Sequence, residues 1–387
     1  MNPESLSPAE PAAATGASSR AEPTAATRDA APTDPTTPPA SPFPHAATLH
    51  DVARDAGVSL ATASRVLNGS ERKVAEAFRE RVERAAEALG YTPNMSAQAT
   101  ARGRSPIIAL LVADIADPYF GQIAAGVARG ADERGLVVTI SITERDQDRE
   151  NRILRALRGQ RPQGLILAAS RADRSDDTGV AGSAPSELEA FERYGGRVVA
   201  FGDRPDVGGE GRGARSIVID NAGGAEALGR RMAALGYRTA IGIGAAEGVR
   251  TSDDRLGGFA RGFVAGGGTV ARIHRGDFRR ESGASAMTEA LAEGVEPGTL
   301  VFGMSDVVAL GAISAIRAAG RQVGTDIAVC GFDDVSASSD VSPSLTTVRV
   351  PLNEAGYQAF RAVVDEDWTQ DPLPVEVIVR DSTPGVA

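Results

Sequence analysis

The hydrophobic pattern divides the chain into regions that change character at residues 47 and 105. Over residues 1–46 the apolar positions have no period and Ala, Pro, Thr and Ser dominate, the composition of a disordered tail. Residues 48–68, TLHDVARDAGVSLATASRVLN, switch to helical spacing. A first helix over residues 51–56 ends at Gly57, where a residue without a β-carbon can take the positive φ of a sharp reversal. Val58 fills the corner, and Ser59 stands where an N-cap belongs. Turning about 100° per residue along a second helix over residues 60–68, Leu60, Ala61, Ser64, Arg65 and Asn68 share one arc, while Ala63, Val66 and Leu67 share the other. One face packs and the other is left for contact. Phe78, Val82, Ala85 and Leu89, at steps of four, three and four, predict a third helix that buries one stripe against the first two.

From Ile107 the rhythm becomes short apolar runs followed by helical stretches: IIALLVA, a helix from Gly121, VVTISI, a helix from Arg149, then GLILAAS and RVVAFG. It resumes with SIVID, AIGIG, TLVFGM and IAVCGF. Repeated β then α predicts an α/β fold with two doubly wound, parallel lobes, and ligands in such folds sit at strand carboxyl ends. Residues 171–185, RADRSDDTGVAGSAP, read as a mobile surface loop with no assignable chemistry.

Charge changes the picture because it is segregated. The net charge of -10 divides into two Arg against five acids over residues 1–47 (-3), nine Lys or Arg against seven acids over 48–104 (+2), and about -9 thereafter. A basic segment ahead of an acidic body confines phosphate contact to the amino-terminal helices. The single cysteine, Cys330, excludes an intrachain disulfide, and no apolar run approaches the length of a spanning helix; a cytoplasmic protein is expected. The three histidines, His45, His50 and His274, have no metal-ligand spacing, and Gly242, Gly244 and Gly248 are one residue out of step with a dinucleotide loop. No enzyme, cofactor or metal is therefore expected.

The helix, glycine turn and helix resemble the headpiece of the LacI/GalR family of bacterial transcription repressors, which begins TLxDVAxxAGVSxxTVSRVLN and continues through a third helix to GYxPN. Gly90, Tyr91, Pro93 and Asn94 complete that pattern. The resemblance implies a tail (1–46), a three-helix headpiece (47–93), a hinge (94–104), a two-lobed effector-binding and dimerisation core of the type I periplasmic-binding-protein fold (105–381) and a short tail (382–387). It implies a homodimer on a pseudopalindromic operator, since no leucine heptads follow residues 368–374 to build a tetramer, and no membrane association.

On the DNA side, the resemblance places the apolar Leu60 and Ala61 at the two positions that vary most with operator sequence and Arg65 at the guanine-reading position. Thr48, Ser59, Thr62, Ser64 and Asn68 fall to phosphates and neighbouring base edges. Asn94, Ala97, Gln98 and Thr100 fall in a hinge helix that enters the minor groove, with Thr100 where relatives carry a wedging leucine. Ala75 stands where the third helix usually has a Ser or Thr cap.

On the effector side, the family's positions fall on Asp114, Tyr119, Phe120, Asp203, Arg255, Phe278, Ser305, Asp306 and Asp333, with Asp117, Pro118, Arg204 and Asp277 alongside. Carboxylates and a guanidinium beside an aromatic face suit a saccharide, although Ser305 replaces the usual Asn. Each has a plainer reading: Phe120 or Phe278 as core, Arg255 in a structural ion pair, Asp306 as a helix cap. Two other functions stay open here: a regulator answering to a protein partner instead of a sugar, and a solute-binding sensor that never meets DNA.

Overall fold

The computed structural model describes residues 47–67, 74–92, 104–169, 186–193, 195–202 and 215–386. It divides into two compact units between Thr92 and Pro93.

The first unit is a bundle of α1 (Leu49–Asp55), α2 (Leu60–Leu67) and α3 (Glu76–Ala88). α1 begins two residues earlier than its apolar spacing implies. Thr48 and Asp51 form a capping box in which the Thr48 hydroxyl accepts from the Asp51 amide at 3.3 Å and the Asp51 carboxylate accepts from the Thr48 amide at 3.0 Å. Gly57 takes φ +62 at the reversal. Ala75 precedes α3 with no side-chain cap bond. Val52, Ala53, Ala56, Ala63, Val82, Ala85 and Ala86 form the core, with Val58, Val66 and Leu67 against it.

The expected stripe of α3 is corrected at both ends. Phe78 is 43% exposed and Leu89 39% exposed. The partner helices are only seven and eight residues long, so the core spans the middle of α3; burial moves to Ala86, and Arg81 covers the Phe78 ring at 5.0 Å.

The second unit holds two parallel sheets. The first, in order β2-β1-β3-β4-β5, comprises β1 (Ile107–Val112), β2 (Val137–Ile142), β3 (Gly164–Leu167), β4 (Arg197–Phe201) and β5 (Arg215–Ile217). The second, in order β7-β6-β8-β9, comprises β6 (Thr239–Ala245), β7 (Thr269–Gly276), β8 (Thr299–Gly303) and β9 (Ile327–Cys330). SIVID, which the pattern joined to the later run of strands, instead pairs with β4 at the edge of the first sheet. A small antiparallel ribbon of β10 (Thr347–Arg349) and β11 (Glu376–Ile378) was not foreseen.

Helices α4 (Pro118–Glu133) and α12 (Leu352–Val364) cover one face of the first sheet, α5 (Gln147–Gln160) and α6 (Glu187–Arg193) the other. The alternation along β1 shows why: Ile108, Leu110 and Val112 enter the α4/α12 layer, while Ala109 and Leu111 enter the α5/α6 layer. α4 and α12 touch through glycine, because a β-carbon at Gly126 would lie 1.9 Å from the Asn353 carbonyl oxygen. The second sheet is covered by α7 (Asn221–Ala234) with α8 (Arg250–Ala265) and by α9 (Arg280–Glu293) with α10 (Asp306–Ala318). A short α11 (Ala337–Asp340) follows β9. Gly242 and Gly244 face Leu256 of α8, so their spacing serves helix-on-sheet packing.

The chain crosses between the lobes after β5, before α12 and after it. α12, late in sequence, thereby belongs to the first lobe. Arg197 and Arg215, at the starts of β4 and β5, hold it there by donating to the carbonyls of Val363 and Ala362 at 2.8 and 2.7 Å, a cationic clasp on its negative end. Among the described residues, no helix is long and apolar enough to cross a membrane.

Candidate DNA-reading helix and inter-lobe cleft

In the first unit, burial sorts α2 into the two faces its spacing implied. Ala63 is fully buried, whereas Leu60, Ala61 and Arg65 are exposed. Thr62 and Ser64 are half-buried. Ser59 caps the helix, its Oγ accepting from the Thr62 amide at 3.1 Å and lying 2.9 Å from the Thr62 hydroxyl. The Thr48 hydroxyl donates to Asp51 at 2.7 Å, so its first role is to cap α1. A helix amino terminus with an exposed Arg one turn beyond it presents partial and full positive charge on one surface, the arrangement that holds a phosphate and reads a base edge. Asn68, Asn94, Ala97, Gln98 and Thr100 lie outside the described residues.

In the second unit, strand carboxyl ends of the two sheets meet around a cluster of charged and aromatic groups. Arg255, near the start of α8, is 2% exposed. Its guanidinium donates to Asn221 Oδ1 at 2.8 Å, to the Met304 carbonyl at 2.9 Å and to Asp333 Oδ1 at 2.8 Å, and it lies 4.0 Å from the centre of the Phe332 ring. That buried pair orients the Asp333 carboxyl group. Burial raises the Asp333 carboxyl to about 7, against the pull of Arg255. Asp333 and Asp334 sit at φ +116 and +56, a conformation that non-glycine residues hold only when surroundings force it.

From the first lobe, Asp117 caps α4, its Oδ1 accepting from the Tyr119 amide at 2.9 Å, with Pro118 at the first helical position. The helix therefore begins three residues before Gly121 and carries Tyr119 and Phe120 on its first turn. Burial is the main cause that raises both the Asp117 carboxyl and the Tyr119 phenol; nearby Asp333 adds to the rise for Tyr119, so the phenol stays protonated as a donor. Asp114 is half-buried and accepts from the Ala116 amide at 2.9 Å.

Three of the expected effector residues also have roles within the fold. Phe120 is 3% exposed and lies edge-on to Tyr119 at 5.1 Å in the first lobe's core, so the aromatic face at the strand end is Tyr119. Asp306 is fully buried: its carboxylate accepts from the Val335 amide at 3.0 Å, the Ser338 hydroxyl at 2.7 Å and the Thr347 hydroxyl. It ties α10 to the loop after β9 and to β10. The capping role belongs to its neighbour Ser305, whose Oγ accepts from the Val308 amide at 3.4 Å and which is itself 3% exposed. Asp203 and Arg204 lie outside the described residues.

Sequence reasoning missed Arg145, which follows β2 and lays its guanidinium 4.2 Å from the centre of the Phe278 ring, across the cleft from the second lobe. It also missed Asn221, which orients Arg255. The signal for Arg145 was present, a charged residue at a strand carboxyl end, but no apolar spacing singles it out. A cavity of about 730 Å³ lies at the amino-terminal edge of the first sheet, lined by Arg104, Arg134, Arg197 and Arg215; there Arg134 pairs with Asp365 at 3.1 Å and Arg197 and Arg215 grip α12. Among the described residues, no group of three or more His, Cys, Asp or Glu is placed to hold a metal.

The comparisons with known proteins agree with both halves. Residues 48–94 match the profile of bacterial regulatory proteins, lacI family, and residues 230–383 match a periplasmic binding protein-like domain. The HTH-type transcriptional regulator CelR of Thermobifida fusca is 31% identical over 340 residues, covering 86% of this chain and 95% of the relative. The chain belongs to the LacI family of bacterial regulatory proteins. The transcriptional repressor CytR of Escherichia coli (strain K12) is 30% identical over 346 residues, covering 87% and 96%. A solved lac repressor dimer bound to operator and the anti-inducer ONPF superimposes with TM-score 0.72 at 27% identity, covering 88% of this chain and 99% of that one. The CelR–cellobiose complex superimposes with TM-score 0.59 at 31% identity, covering 87% and 99%. This LacI-family member is a DNA-binding transcriptional regulator built of a helix-turn-helix region and a periplasmic-binding-protein-like α/β core, and its relatives are regulators, not enzymes.

Proposed function

We propose that this regulator is a cytoplasmic repressor that binds a pseudopalindromic operator as a homodimer and is controlled by a saccharide held in the inter-lobe cleft. The observation that carries the ligand half is the Arg255–Asp333 pair, which fixes a carboxylate oxygen beside a protonated Tyr119. An acceptor and a donor held a short distance apart, beside aromatic surface, suit neighbouring hydroxyls on a sugar ring. The relative CelR is described in complex with cellobiose. Asp114, Tyr119, Arg255, Phe278 and Asp333 are the contacts proposed, with Asp203 completing the set; Ser305, Asp306 and Phe120 support them from behind.

For the DNA half, α2 enters the major groove with Leu60 and Ala61 against thymine methyls and Arg65 on guanine. Ser59, Thr62 and Ser64, with Asn68, hold phosphates, and Thr48 positions α1. Asn94, Ala97, Gln98 and Thr100 approach the minor groove from the hinge. The proposed domains are the headpiece (47–93), hinge (94–104) and core (105–381). The lac repressor relative is a dimer on its operator; here Val137 and Ile140 on edge strand β2, and Ile273 on edge strand β7, are apolar and exposed, surface suited to a second copy.

A thermal-shift panel of saccharides, cellobiose included, tests the ligand half. One neutral sugar should stabilise the protein by RT ln(1 + [L]/Kd), and Asp333→Asn should abolish the shift. A panel with no shift for any sugar would leave the cleft without this role.

A further inference from the structure

The first crossing between the lobes, residues 218–220, leaves the edge of the first sheet, where β5 pairs only with β4 among the described strands. The Ile217 carbonyl accepts from the Gly202 amide on the β4 side, so the two backbone groups of Val218 point away from the sheet. Gln370 meets both. Its Oε1 accepts from the Val218 amide at 2.8 Å and its Nε2 donates to the Val218 carbonyl at 2.7 Å. One side-chain amide thus takes the place of a neighbouring strand. Val218 is 59% exposed, so water would satisfy these groups without it, and holding a glutamine in one rotamer costs entropy. Stability alone is a weak reason for the contact.

Its place in the chain supplies a better one. Gln370 lies on the third crossing, and the next residue is tied to the first lobe: the Asp371 amide donates at 3.0 Å to Oε1 of Gln358, which is 1% exposed on α12. At the other end of β5, Arg215 donates to the carbonyls of Ala362, Asp365 and Glu366. β5 is therefore laced at both ends to the chain that leaves α12. The antiparallel pairing of β10 with β11, Arg349 opposite Glu376, ties the second crossing to the third, and Gln370 adds the tie from the third to the first. On the side of the second lobe the first crossing ends at Asn221, whose Nδ2 donates to the Ile219 carbonyl at 3.3 Å and whose Oδ1 accepts from Arg255 at 2.8 Å. A short stretch of backbone, Val218 to Asn221, thus runs from the Gln370 clamp to the guanidinium that holds Asp333 in the cleft.

We infer that Gln370 is a positioning residue of the switch: by clamping both backbone groups of Val218 it locks the first inter-lobe crossing to the third, so that the three crossings turn as one pivot and a change at Arg255 is passed to the first lobe. This rests on the saccharide-controlled reading above. Without the clamp, residues 218–220 absorb the motion in their own dihedral angles, and cleft and DNA sites lose coupling.

The test uses the full chain, its own upstream DNA and the first neutral member of a mono- and disaccharide panel, cellobiose included, that raises the wild-type melting temperature. Gln370→Met keeps the length of the side chain without its hydrogen bonds, and Gln370→Glu keeps shape and acceptor but loses the donor. Both should melt within a few degrees of wild type, because the clamp lies at the surface. Hydrogen exchange at the Val218 amide should quicken at least tenfold in Gln370→Met. The factor by which saturating sugar changes operator Kd should shrink toward one at least threefold in both variants. A merely structural loss would lower the melting temperature and leave that factor where it was. An unchanged factor, or unchanged exchange at Val218 in Gln370→Met, would overturn the inference while leaving the saccharide reading intact; a wild type whose operator binding no sugar alters would overturn both.

Discussion

Arg255 and Asp333 meet at 2.8 Å with side-chain exposures of 2% and 5%, joining the helix after β6 to the loop after β9. Removing one member of such a pair strands a buried charge. Arg255→Ala should therefore cost about 3–5 kcal/mol, read as a drop in the urea midpoint. The double change Arg255→Met with Asp333→Asn should cost less than Arg255→Ala alone. A double change that costs the sum of the two single changes would show that the two side chains do not act as a unit.

The second buried acid predicts a pH dependence. Burial, with nearby Asp333 adding to it, raises the Asp306 carboxyl to about 8, although Ser338, Thr347 and Val335 donate to it. The folded state then binds a proton that the unfolded chain releases near pH 4. Protonation favours folding, so this contribution is present in full below about pH 4 and is lost as the pH rises toward 8. Melting temperatures from pH 4 to 8 should fall with a slope that Asp306→Asn flattens. A variant with the wild-type slope would remove Asp306 as its source.

Ser59 offers a local test of the headpiece. Ser59→Ala deletes the bond to the Thr62 amide and should cost about 1 kcal/mol of headpiece stability, visible as faster hydrogen exchange at the α2 amides. Operator affinity should fall with it, and Ser59→Asp should restore the exchange protection but not the affinity, because its charge faces phosphate.

Much of this arrangement was legible because it rests on short-range chemistry. Gly57, Ser59 and the arcs of α2 follow from turn and cap geometry, and the strands from runs such as IIALLVA. Boundaries moved where a side-chain cap overrode apolar spacing: Asp117 starts α4 at Pro118, and Asp146 starts α5 at Gln147, its Oδ1 accepting from the Arg149 amide at 2.6 Å. Long-range partners were not legible. Nothing near Asp306 announces that Thr347 and Ser338 will meet its carboxylate, and nothing near Leu352 announces that α12 will return to the first lobe against Gly126. Arg145 was hidden for the same reason, since its meaning lies in Phe278, on the opposite lobe.

The most direct measurement is binding of the full chain to its own upstream DNA, with Arg65→Ala alongside, at two salt concentrations and with the sugar panel added. The expected result is tight, sequence-specific binding that weakens steeply with salt, a loss of discrimination in Arg65→Ala of about 1–3 kcal/mol, and a change in affinity with one neutral sugar. Weak, equal binding of both proteins to every DNA, unmoved by any sugar, would contradict it.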